Sequence, residues 1–313
     1  MNRREFLQHS ATATVVAAGA LAAAEKDDGL AIVDTHQHLW DLKKFKLPWI
    51  KEGSHLAHDF LMADYQKAVR GHNVVKTVYM EVDVDPSQQE AEAAYVLELG
   101  KKKDNPMVAA VISGRPASDG FAKYLAPFKD NAFIKGVRQV LHGEGTPKGY
   151  CLEKSFIKGV RLLGEMGKSF DICIRPGELA DAATLVKECP DTRFILDHCG
   201  NGDVRAKDLS AWKKGMAAVA AHKNVVCKVS GIIVNAEPGK WTAADLAPIV
   251  KHTLEEFGPD RVMFGGDWPV CTRAATLAQW IEALKSIVKE RKVEEQKKLF
   301  HDNAVKFYAL KDK

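Results

Sequence analysis

The chain has 313 residues, is 46% hydrophobic and 27% charged, and carries a formal net charge of +4 with both signs dispersed along it. That balance is ordinary for a globular enzyme, long enough to bury about three quarters of its unfolded surface without staples, and no basic stripe argues for nucleic acid. None of the six cysteines stands in a C-x-x-C pair, so a structural zinc site is not expected and the thiols are read as mostly free.

Residues 1–24 differ from the rest. "NRREFLQ" is followed by "ATATVVAAGALAAA", a basic start, a moderately apolar run and small residues at Ala22–Ala24. The paired Arg3-Arg4 followed by Phe6-Leu7 match a twin-arginine export signal. The run is too short to span a bilayer. The expectation is a mature chain of residues 25–313 in the periplasm or another extracytoplasmic space, a single domain with no integral membrane segment, and an oligomer is possible.

From there strands and helices alternate. Strand-like runs rich in β-branched residues fall at 30–37, 74–82, 107–113, 133–141, 169–176, 193–199, 225–232 and 261–268. Helical periodicity fills 59–72, 86–103, 153–167, 177–189, 208–222, 242–258 and 274–291, with a shorter helix over 118–129. This alternation predicts an α/β fold, a single-domain (β/α)8 TIM barrel. The alternative, a doubly wound open sheet, is weakened because no Gly-rich phosphate loop follows the first strand.

In such a barrel, chemistry collects at the C-terminal ends of the strands. Residues i and i+2 of a strand share a face, so His36 and His38 are both expected to point inward at the mouth. Other strand ends offer Glu81, Arg138, His142, Arg175, His198, Lys228, Ser230 and Asp267. Trp40 and Trp49 lie in a long connection, 39–58, that is expected to cover the mouth and to present a stacking face to a sugar ring.

Thr35-His36-Gln37-His38, Gly136-Val137-Arg138, Asp197-His198-Cys199-Gly200, Lys228-Val229-Ser230-Gly231 and Gly266-Asp267-Trp268-Pro269 together resemble the amidohydrolase superfamily. The nearest branch is that of sugar-lactone and pyrone-dicarboxylate lactonases, and "NAVKFYAL" from Asn303 resembles its last helix. The resemblance spans about residues 31–310 and implies hydrolysis of a lactone. It makes Asp267 the general base, His198 and Arg138 the groups that polarise the carbonyl, and Arg175, Lys228, His142 and Trp40 substrate-binding residues. It also implies a candidate metal set of His36, His38 and Asp267 for one divalent ion, zinc by preference, with His198 as a possible fourth contact. A metal-free site is equally compatible, because strands four and five present Arg138 and Arg175 where metal-dependent relatives carry a Lys or His ligand, and a guanidinium stays protonated. The alternatives are a zinc-dependent decarboxylase of an aromatic or muconate-like acid, an amide or imide hydrolase, and a non-catalytic sugar-binding barrel.

Overall fold

The computed structural model describes residues 29–312 except Glu144, and the expected export signal over 1–24 lies outside the described residues. Eight strands form one parallel sheet in sequential order: β1 (Ile32–Gln37), β2 (Val74–Met80), β3 (Met107–Ser113), β4 (Ile134–Val140), β5 (Ser169–Cys173), β6 (Arg193–Leu196), β7 (Val225–Val229) and β8 (Val262–Phe264). Gln37 pairs with Trp268, and the Asp267 N–H donates to the His36 carbonyl at 2.8 Å, so the last strand meets the first. The sheet is therefore a (β/α)8 barrel, and the open-sheet alternative falls.

Helices at Met62–Ala68, Gln89–Lys101, Phe121–Leu125, Lys154–Glu165, Leu179–Glu188, Ser210–Ala220, Ala243–Phe257 and Leu277–Val288 follow the strands in turn. Two of their starts show why the chain turns helical where it does. Thr242 and Asp245 form a capping box, as do Thr276 and Gln279, each pair satisfying N–H groups that a helix start leaves unpaired. The apolar stripes of these helices bury against the outer face of the sheet, as Phe156, Val160 and Leu163 of Lys154–Glu165 do.

A second core fills the barrel itself. Val33, Val78, Met80, Ala109, Val111, Ile195 and Met263 pack with Ala304, Tyr308 and Leu310 of the C-terminal segment. That segment lies across the N-terminal ends of the strands. Asn303 donates to the carbonyls of Pro259 and Val262, and Arg193 donates to Phe307 O. No helix of the described residues is long and apolar enough to cross a membrane. All six cysteines are free, buried thiols.

Candidate active site

β1 does not keep simple alternation to its end. Val33 lies in the inner core, yet the Gln37 side chain bonds Met62 and Thr77, and the register with β2 shifts between Asp34 and Gln37. This irregularity turns His36 and His38 into the mouth, their rings 4.8 Å apart. Asp267 enters from the end of β8, with Oδ1 3.3 Å from His38 Nε2 and 3.8 Å from His36 Nε2. His198 follows β6 and stacks at 4.5 Å from His36. Arg138 rises from β4. All five side chains are nearly or fully buried.

The hydrogen bonds fix what each group can do. His38 Nδ1 lies 3.0 Å from the Met80 carbonyl, which only accepts, so Nδ1 carries a proton; in the neutral ring Nε2 is then the acceptor, and in the charged ring it is a second donor. Nε2 faces a carboxylate oxygen across 3.3 Å. A proton, a water O–H or a cation belongs between the two. His198 Nδ1 meets the Ser230 hydroxyl at 2.9 Å, and that hydroxyl serves either tautomer. When it donates, Nε2–H is left to donate into the mouth; when it accepts, Nε2 is a ligand.

Burial pushes the His36 imidazole well below its usual range, against the pull of Asp197, and burial likewise lowers His198. Both rings are neutral near pH 7, the form a metal ligand requires. Arg138 Nε donates to Glu81 Oε1 at 2.6 Å, Nη2 donates to the Glu81 carbonyl at 2.8 Å, and Nη1 stands 3.2 Å from His36 Nε2. Burial alone would lower the guanidinium's pKa; the Glu81 charge reverses this and raises it.

Donor atoms of His36, His198 and Asp267 lie within 4.8 Å of one another. Two neutral imidazoles and a carboxylate suit a zinc-like ion in chemistry and number. This trio takes His198 where the sequence suggested His38, whose Nε2 still borders the same carboxylate. Arg138 Nη1 shares His36 Nε2, so a cation bound through that nitrogen and the arginine contact exclude each other.

Two expected substrate contacts are buried out of reach, and a third is engaged with its own chain. Lys228 is fully buried below the site, donating to Asp171 Oδ2 at 2.6 Å and lying 3.4 Å from Asp197 Oδ1, so it neutralises interior carboxylates and offers no surface to a substrate. Trp40 is fully buried too; its Nε1–H donates to the His58 carbonyl, and its ring packs on Trp49 and Phe60. It is the core of the long connection, not a stacking face. Arg175 spends its donors on Glu178 Oε2 and on the carbonyls of Gly143 and Thr146, clamping the loop after β4. His142, on that loop, is exposed at the rim. Desolvation by the surrounding protein, then the charges of His198 and Arg138, push its pKa down to about 4, so it is neutral near pH 7.

Asp197 has the largest role the sequence reading left unassigned. Burial would raise its pKa, but Lys228 and then His36 hold it well below the ordinary carboxylate range. It stands 3.6 Å from His36 Nδ1 and 3.5 Å from Arg138 Nη1, a buried anion balancing the cations beneath the mouth. Its position beside His198 in "LDHCG" was the available signal.

Fold and site define a class, the (β/α)8-barrel hydrolases. More closely, the chain belongs to the amidohydrolase family, whose Amidohydro_2 model matches residues 33–310. It is 27% identical over 297 residues to an L-fucono-1,5-lactonase of Burkholderia multivorans, covering 90% of this chain and 97% of the relative. An L-rhamnono-gamma-lactonase of Scheffersomyces stipitis is 23% identical, with 89% and 98% covered. A solved amidohydrolase from Burkholderia multivorans superposes with a TM-score of 0.80 at 25% identity, covering 90% of this chain and all of that one, in forms with bound HEPES and with bound zinc. A 2-pyrone-4,6-dicarboxylic acid hydrolase structure from Pseudomonas putida, 18% identical with a TM-score of 0.68 and covering 91% of this chain and 99% of that one, shares the fold.

Proposed function

We propose that this protein opens the lactone ring of a sugar acid or a similar polar carboxylate by attack of water at the barrel mouth. The observation that carries this reading is the Asp267 carboxylate held 3.3 Å from His38 Nε2, with two further histidines around it. A water seated against Asp267 Oδ1 and His38 Nε2 is oriented by both, and the carboxylate takes its proton as it attacks. His198, donating from Nε2, faces the oxygen on which charge develops. Arg138 contributes a positive charge held in place by Glu81 and His36, which take three of its five N–H groups. The loop carrying His142, clamped by Arg175, contacts the rest of the substrate. The relatives' lactonase activities support the substrate class.

In the other His198 tautomer, with Arg138 withdrawn from His36 Nε2, His36, His198 and Asp267 would hold a divalent cation, zinc by preference, and such an ion would supply Lewis-acid polarisation and a more acidic water in place of the His198 donor. The reading is tested by screening sugar lactones with a pH indicator, with and without chelator, beside Asp267→Asn. Ring opening that this variant loses supports it; a folded, wild-type protein inert on every lactone overturns it. Export through the Arg3-Arg4 signal is part of the same proposal. Mass spectrometry of the protein recovered outside the cytoplasm should find a mature start near Ala24 or Glu25, and retention of residues 1–24 would contradict it.

A further inference from the structure

At the site end, closure of the barrel rests on a side chain as much as on a ladder. β8 ends at Phe264, and the chain then runs Gly265-Gly266-Asp267-Trp268 past β1, with Gln37–Trp268 as a bridging pair. Across this seam stands Asp34, fully buried. Its Oδ1 accepts the His36 N–H at 3.0 Å and the Gly266 N–H at 2.7 Å. Its Oδ2 accepts the Tyr65 hydroxyl at 2.7 Å, and the buried Tyr65 ring packs edge-on to Trp268. A Cβ on Gly266 would overlap Asp34 Oδ2, so the glycine is what permits this approach. The next residue, Asp267, has φ 53°, in the left-handed region where a non-glycine residue is held by its surroundings.

One carboxylate oxygen therefore ties together the backbone of His36 and the backbone immediately before Asp267. The same irregularity that turns His36 and His38 inward is the one Asp34 stabilises, since its bond to the His36 N–H lies within the shifted register of β1. Among the described residues, the backbone bonds Asp267 N–H to His36 O and His38 N–H to Trp268 O, both 2.8 Å, continue the seam on either side of the two catalytic side chains.

We propose that Asp34 is a positioning residue that sets the separation of Asp267 from His36 and His38 and so controls turnover without touching substrate. The kinetic arm rests on the hydrolytic reading above; the structural arm does not. Asp34→Ala, Asp34→Asn and Gly266→Ala are compared with wild type by lactone hydrolysis, melting and crystallography. Asp34→Ala should lower kcat by about 100-fold at little-changed KM, the size of loss that a displacement of about 1 Å produces. Its crystal structure should show Asp267 Oδ1 moved away from His38 Nε2. Asp34→Asn keeps a carbonyl oxygen that accepts both N–H groups, so it should recover kcat to within about tenfold of wild type. If Asp34→Ala does not fold, Gly266→Ala carries the test, with the same loss of kcat at little-changed KM expected. Wild-type kcat in the folded Ala variant, or an Asp267–His38 separation unchanged in its crystal structure, overturns the proposal. If wild type itself hydrolyses no lactone, the function reading fails, and the crystallographic displacement alone decides Asp34.

Discussion

Inside the barrel one set of inward-facing side chains is apolar, Val33, Val78, Met80, Ala109, Val111, Ile195 and Met263, packed with Tyr308 and Leu310. At the C-terminal end they are His36, His38, Arg138, His198 and Asp267. Between the two lies a layer of buried charge, Lys228 with Asp171 and Asp197. The same eight strands build both sets, so the difference lies in which side chains each strand turns inward. The apolar end contributes burial and packing. The polar end crowds buried polar groups together, as His38 Nε2 and Asp267 Oδ1 are at 3.3 Å, an arrangement that serves a water, a cation or a substrate rather than packing. The charged layer lets ionised groups sit that deep, because Asp197 answers both Arg138 and Lys228.

The comparison is broken most severely in the middle layer. Lys228→Met leaves Asp171 and Asp197 without their buried cation and should cost about 3–5 kcal/mol, read by denaturant unfolding. A cost near zero would mean the carboxylates are neutralised some other way. Next comes the apolar end. Ile195→Ala should cost about 2–5 kcal/mol while the turnover of the folded fraction stays at the wild-type value. A fall in kcat per folded molecule would show that the two ends are mechanically coupled.

A smaller effect sharpens the edge of the charged layer near β2. Glu92 is buried, accepting from the Tyr79 hydroxyl and the Val82 N–H through Oε1 while Oε2 has no hydrogen-bond partner. Burial, and then the charge of Glu81, push its pKa up to about 8. The folded chain therefore holds a proton that the unfolded chain releases above its model value of 4.5. Stability falls as pH rises through that window, toward the folded value. Glu92→Gln should flatten the dependence of the melting temperature on pH between about 5 and 8; an unchanged slope would contradict the assignment. The smallest effect belongs to the rim. Arg175→Met frees the 143–146 loop and should raise KM by up to about tenfold, equivalent to ~1.4 kcal/mol, with kcat unchanged. A KM equal to wild type would remove that loop from substrate binding.

Much of this was legible in the chain. β-branched runs separated by helical periodicity located all eight strands, and the ends of the strands named the histidines, Arg138 and Asp267. Spacing tells which face a residue takes but not how deep it lies, and depth is what separated Lys228 from His198. Trp40 was misread because the partners that bury it, Trp49, Phe60 and the His58 carbonyl, come from the fold of its own long connection. The clamp made by Arg175 was not legible because its acceptors include backbone carbonyls of Gly143 and Thr146, about 30 residues earlier in the chain, and carbonyls leave no mark in a sequence. Asp34 stood in plain sight beside the His-x-His pair, but its partner Gly266 lies 232 residues away, and that contact exists only once the barrel closes.

The most direct test is to measure turnover and melting temperature on the same samples of wild type and Asp267→Asn, using the sugar lactone that wild type opens fastest. The account predicts a loss of about 1,000-fold in kcat, within the range for removing a general base, with no loss of melting temperature. Turnover retained at the wild-type level in a folded Asp267→Asn protein would contradict it.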